Sequence, residues 1–129
     1  MKRKLNSISL DKVKMNVVNT SPNGVVNKDT IFVFSQSNEI VSAEYMGGKI
    51  VKGFLIGRLE NSKLSFSYCQ LQEDGKLDSG LSYCDVSITD KGKMRMIEHF
   101  EWSSRGGESG ENIFEELDNG GFELDKKLG

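Results

Sequence analysis

Apolar and polar residues alternate along most of the chain. Val13, Met15 and Val17 alternate with Lys12, Lys14 and Asn16. Val41, Ala43 and Tyr45 share one phase of "EIVSAEY", and Leu64, Phe66 and Tyr68 alternate with serines. Met94, Met96, Phe100 and Trp102 alternate with Arg95, His99 and Glu101. The stretch "TIFVFSQ" is β-branched and aromatic. A period of two over such lengths marks half-buried antiparallel strands. Between the runs stand turn signals: Ser37-Asn38, Gly47-Gly48, Asn61-Ser62, Asp74-Gly75 and Asp90-Lys91-Gly92. The pattern predicts eight strands, near residues 12–19, 29–36, 39–46, 49–60, 63–72, 77–88, 93–103 and 110–118. In the last, "ENIFEEL" admits a short helix as well as a strand.

Connections of two to four residues make consecutive strands into hairpins, so the fold class is an all-β antiparallel up-and-down meander. A flat meander of this length leaves two exposed edges, which closure removes. A small barrel is the expected architecture, resembling lipocalin-like or avidin-like barrels. An open, strongly curled sheet is the alternative. Residues 1–129 read as one domain, with 1–11 and 119–129 as flexible tails.

The stretch "YMGGKIVKGFLIG", Tyr45 to Gly57, sets glycines beside lysines. A phosphate-cradling loop needs such glycines between a strand and a helix N-terminus. Here the chain continues as strand, so Gly47-Gly48 read as the positive-φ residues of a primed hairpin turn. Gly53 and Gly57 fall in phase with Val51, Leu55 and Leu59, opposite Lys52 and Arg58. That phase sets them inside, bending the strand and leaving room for rings from neighbouring strands. "GKIVKGFL" from Gly48 and "GKLDSGLS" from Gly75 echo each other, as do "SYCQ" and "SYCD". Similar hairpins reusing similar turn chemistry account for this.

Composition narrows the function. The 129 residues carry 17 Lys+Arg and 19 Asp+Glu, a net charge of −2. Nucleic acid as main partner needs clustered positive charge, and the only basic cluster is Lys2-Arg3-Lys4. No apolar run approaches the roughly 20 residues of a membrane helix. "LNSISLDK" after the first four residues lacks the apolar stretch of a signal peptide, so a cytoplasmic protein with reduced cysteines is expected. Cys69 and Cys84 fall on opposite phases, which argues against a disulfide. His99 is the single histidine and points outward by phase. No metal-ligand spacing occurs, and no metal or other cofactor is expected.

Candidate chemistry is sparse. "SSRGGESG", residues 103–110, reads as a wide hairpin loop, or as a glycine nest in which Arg105 holds an anion. Glu115 and Glu116 read as solvated charge. Glu98 is the sharpest feature, because it sits in phase with Met94, Met96, Phe100 and Trp102. A carboxylate on an apolar face needs a partner or a proton. An inward arginine or a tyrosine such as Tyr45 or Tyr68 is the expected partner. A barrel of this size holds at most one small ligand. Tyr45, Tyr68, Glu98, Phe100 and Trp102 are therefore the candidate binding residues for a small apolar or amphipathic molecule. A packed barrel working through its outer surface as an interaction module is the alternative.

At "YMGGKIVKGFLIG", "GKMRMIEHFEW" and "SGENIFEEL" the chain resembles a family of small bacterial β-rich proteins labelled N-acetylglutamate synthases. The resemblance covers about residues 15–118 and implies acetyl transfer to glutamate, with no residue roles attached. The Arg/Gln-x-x-Gly-x-Gly/Ala loop of common acetyltransferases is not matched, since Arg105 is followed by Gly106-Gly107-Glu108.

Overall fold

The computed structural model describes residues 8–117. Eight strands follow one another: β1 (Lys14–Thr20), β2 (Ile31–Ser37), β3 (Ile40–Gly47), β4 (Ile50–Glu60), β5 (Lys63–Gln72), β6 (Leu77–Ile88), β7 (Met94–Trp102) and β8 (Ser109–Glu116). The segment "ENIFEEL" is strand from Glu111 to Glu116, within β8. Each strand pairs antiparallel with the next, and β1 pairs with β8, so the sheet closes into a barrel. Closure sets Val17 opposite Phe114 and leaves no free edge. The open curled sheet is thereby excluded.

The inward faces are those the alternation marked. Phe32 and Phe34, Val41, Ala43 and Tyr45, and Leu64, Phe66 and Tyr68 are all buried. β4 departs from the expected phase. A bulge shifts its register between Ile50 and Lys52, so both Val51 and Lys52 face solvent. Val51 is thus outside, and strict alternation restarts at Gly53.

Gly48 and Lys49 form the two-residue turn between β3 and β4. Gly48 has φ 61°, while Gly47, with φ 113°, sits at a register shift at the end of β3 rather than within the turn. Asn61 and Ser62 both adopt positive φ, 51° and 63°, the signature of a primed turn.

Gly53 lies opposite Tyr45 and Gly80 lies opposite Tyr68. A Cβ at Gly53 would stand 2.3 Å from the Tyr45 ring, and one at Gly80 2.5 Å from the Tyr68 hydroxyl. The echo of the two hairpins therefore reflects a repeated packing unit, a glycine beneath an inward tyrosine. "SYCQ" and "SYCD" do not share this logic, since Tyr68 is buried and Tyr83 exposed.

Of the expected tails 1–11 and 119–129, residues 1–7 and 119–129 lie outside the described residues. Residues 8–11 are held: Leu10 is fully buried, its N–H donates to Gln36 Oε1 at 2.8 Å, and Asp11 accepts from the Gln36 N–H at 2.9 Å. An apolar side chain that fills the barrel end gains more than a free tail loses in entropy.

Candidate functional site

Odd-numbered strands all end at the same end of the barrel. That end is covered by residues 21–30, between β1 and β2. Thr30, fully buried, donates from Oγ1 to the Gly47 carbonyl at 3.0 Å and accepts from the Asn27 N–H at 3.2 Å, fastening the segment to β3. Val25 and Val26 reach down from it and are buried. Beneath them lies a hollow of ≈ 30 Å³, room for about one or two waters.

All five expected residues line this hollow: Tyr45, Tyr68, Glu98, Phe100 and Trp102. Phe32, Leu55, Phe66, Gln70 and Asn112 complete its wall below Val25 and Val26. Sequence reasoning missed Gln70 and Asn112, although the phase of β5 and β8 carries both inward with Tyr68 and Phe114.

Tyr45 stacks on Phe32 with centroids 4.2 Å apart and donates its hydroxyl to Gln70 Oε1 at 2.8 Å. The Tyr68 hydroxyl donates to the Glu101 carbonyl at 3.2 Å. Neither tyrosine is the partner of Glu98, contrary to the expectation, because each is drawn to an acceptor on or beside its own side of the barrel. Among the described residues no arginine hydrogen-bonds Glu98 either. Ser82 on β6 donates to Glu98 Oε2 at 2.5 Å, and Asn112 on β8 donates from Nδ2 to Oε1 at 2.8 Å. Thr20 in turn donates to Asn112 Oδ1, which fixes the orientation of that amide. Burial pushes the Glu98 carboxyl above its ordinary range, and the two donors oppose this only in part. Burial also raises Tyr45 and Tyr68, and the charge of Glu98 adds to both.

Trp102 is 4% exposed, and its indole N–H has no hydrogen-bond partner among the described residues. The Arg105 guanidinium lies over its ring at 4.4 Å. Arg105 grips Asp78 with Nε at 3.1 Å and Nη2 at 2.8 Å. Ser104 and Gln72 donate to the same carboxylate. Burial alone would raise Asp78, but the hydrogen bonds from Arg105, Ser104 and Gln72 outweigh it and hold the group below its ordinary range. The guanidinium is thus engaged by the protein's own carboxylate. The segment 103–108 is the wide hairpin loop, with Gly106 and Gly107 at φ 59° and 88°.

Nucleophilic chemistry finds little here. Cys84 faces inward opposite Glu98, and burial, then the Glu98 charge, pushes its thiol well up. Cys69 is exposed on the outer face, so the two sulfurs are unbridged. His99 also faces out, with Nδ1 3.3 Å from Glu111 Oε2. Glu115 stands near Arg95 at 3.8 Å, and Glu116 accepts from the Met94 N–H at 2.9 Å, so neither is merely solvated. Among the described residues no cluster of three or more His, Cys, Asp or Glu side chains could hold a metal ion.

No curated protein and no solved structure gives a match. One family model, described as avidin-like protein, matches residues 8–117, which are the whole of the barrel. The closed antiparallel meander fits that architecture, and the chain belongs to the avidin-like protein family.

Proposed function

We propose that the protein binds a small amphipathic molecule inside the barrel, beneath residues 21–30. The observation that carries this is the Trp102 indole N–H, buried and without a partner in the wall of a hollow that also presents Gln70, Glu98 and Asn112. A buried donor left unpaired costs about 1–3 kcal/mol, which an acceptor on a ligand would recover. Avidin-like barrels are known for small-molecule binding, which supports the reading. The hollow takes only the head of a ligand. Withdrawal of Val25 and Val26 would make room for the rest, and no strand need move.

Trp102 is the single tryptophan, so its emission reports on this site alone. A compound library is screened by melting temperature, and every compound that raises it is titrated against Trp102 emission. Binding at 100 times Kd adds about 2.7 kcal/mol of stability. Trp102→Phe keeps an aromatic ring and removes the indole N–H, so it should weaken the bound compounds, read by the melting-temperature shift because this variant has no tryptophan emission. A library that moves neither melting temperature nor emission refutes the reading.

The second reading, an interaction module, has its own observation. Phe54 and Ile56 on β4 and Leu81 and Tyr83 on β6 are 44–61% exposed, facing outward on either side of Ser65, Ser67 and Cys69 of β5. Large exposed apolar side chains gathered on one face are a feature of protein interfaces. A second copy of the chain could cover it with its own β4–β6 face, and sedimentation velocity across a concentration series reads that directly. For the enzyme reading, incubation with acetyl-CoA and glutamate is the test, and we expect no turnover.

A further inference from the structure

We propose that the ligand presents a cationic amine head, which docks against Glu98 within the box of aromatic side chains. This rests on the binding reading above and gives its ligand a charge.

Inward charge is unbalanced. The buried charged side chains among the described residues are Asp78 and Glu98, with no buried lysine, arginine or histidine. Asp78 has its cation in Arg105. Glu98 has only two neutral donors, Ser82 and Asn112. An ionised carboxylate offers about four acceptor positions, so roughly half remain open. Both donors come from flanking strands, β6 and β8, which leaves the lumen side to a ligand. Thr20 holds Asn112 in the orientation that donates, and a wall built to donate to Glu98 favours its charged form.

The surroundings suit a cation. Phe66 meets Tyr68 at 70°, Tyr68 meets Trp102 at 77°, and Trp102 meets Phe100 at 68°. Rings set edge to face in sequence form the sides of a box, not a stack. Ring faces attract an ammonium, more strongly when it is desolvated. A buried carboxylate without a counter-charge is costly, and an amine would restore the pair. A neutral or anionic head would leave it unpaired. The hollow of ≈ 30 Å³ admits an ammonium with its first carbon.

Three probes share one body and one ether oxygen, and differ in charge: 2-phenoxyethylamine, 2-phenoxyethanol and phenoxyacetate. Each is titrated against Trp102 emission. The amine should bind at least about tenfold tighter than the alcohol, an energy of about 1.4 kcal/mol, and phenoxyacetate should not bind. In Glu98→Gln the ratio of amine to alcohol should collapse to about one. The wild-type protein supplies an independent measurement. Amine affinity should rise with pH as Glu98 loses its proton, while alcohol affinity stays flat. Tyr45, Tyr68 and Cys84 face Glu98 from β3, β5 and β6, and burial keeps all three protonated there. His99, on the outer face of β7, is separated by repeating the series in His99→Gln. Alcohol binding equal to amine binding, or an amine preference that survives Glu98→Gln, overturns the cationic head and leaves the binding site standing. If none of the three moves emission or melting temperature, the head and the site fall together.

Discussion

Substituting Gly53 with alanine adds one methyl group to a tightly filled part of the inner face. Its Cβ would lie 2.3 Å from Tyr45 Cε2 and 2.4 Å from Cζ, where carbon atoms rest at about 3.5–4.0 Å. The ring must therefore move by about 1 Å. It cannot do so freely, since Phe32 stacks on it at 4.2 Å and Gln70 holds its hydroxyl at 2.8 Å. Overpacking costs about 1–3 kcal/mol, and losing the buried hydrogen bond about 1–3 kcal/mol more. The stiffer unfolded chain returns about 0.4–1 kcal/mol. The net loss should be roughly 2–4 kcal/mol, read as a lower urea midpoint by circular dichroism with the m-value unchanged. Because the nearest atoms all belong to the Tyr45 ring, Gly53→Ala made in a Tyr45→Val background should cost less than about 1 kcal/mol. Gly57 offers the contrast, as its Cβ would meet the Ser65 carbonyl oxygen at 1.9 Å, so no side-chain truncation relieves Gly57→Ala. Gly53→Ala with wild-type stability, or an equal cost in both backgrounds, would refute this account of the face.

Burial raises Glu98 above its ordinary value of 4.5, so the folded protein holds that proton where the unfolded chain has lost it. Its contribution to stability is then full below about pH 4.5 and is lost as pH rises through the native pKa; Glu98→Gln should remove this part of the fall in urea midpoint with pH, and identical slopes would contradict it. Asp78 acts in the opposite sense, because its lowered pKa makes its contribution present at neutral pH and lost in acid, so Asp78→Asn should lessen acid sensitivity. The denatured, unreduced protein should titrate as two thiols, whereas the native protein should react promptly at Cys69 only. Arg105→Lys loses both the paired hydrogen bonds to Asp78 and the flat contact on Trp102, and should cost about 1–3 kcal/mol with a shift in Trp102 emission; an unchanged midpoint and emission would show the clamp to be idle.

Strand number, order and closure were legible because most strands keep a period of two over most of their length and each turn carries its own chemistry. The bulge at Val51 was not. It adds one residue to one strand, and nothing in "GGKIVKGF" distinguishes that from continued alternation. Glu98 was legible because a carboxylate interrupts four apolar neighbours in phase. Its partners were not. Ser82 and Asn112 come from β6 and β8 through register, which no local pattern gives. The clamp of Arg105 on Asp78 was hidden for the same reason, since 27 residues separate the two. Asp78 in "GKLDSGLS" could have been caught by extending the inward phase back from Gly80 and Ser82.

One strand shows how the interior divides. The inward side chains of β5 run Leu64, Phe66, Tyr68, Gln70 and Gln72, from apolar at one end to amide beneath residues 21–30. β6 runs back through Asp78, Gly80, Ser82 and Cys84 with the same polarity. A barrel selected for stability alone gains nothing from buried amides, each of which must find a partner to offset its lost hydration. Tyr45 and Gln70 partner each other, so removing both leaves no orphan. Replacing a hydrogen-bonded pair with apolar groups of similar shape is nearly neutral or stabilising, while removing one member costs the full desolvation of the other. Tyr45→Phe with Gln70→Leu should therefore leave the urea midpoint level or raised, and Tyr45→Phe alone should lower it by about 1–3 kcal/mol. If the polar end exists to hold a ligand, the double variant should also lose affinity for whatever compound binds the wild type, the usual exchange of function for stability. A double variant that loses more than about 2 kcal/mol would mean that the pair is there for the fold, and that the gradient along β5 is not the mark of a site.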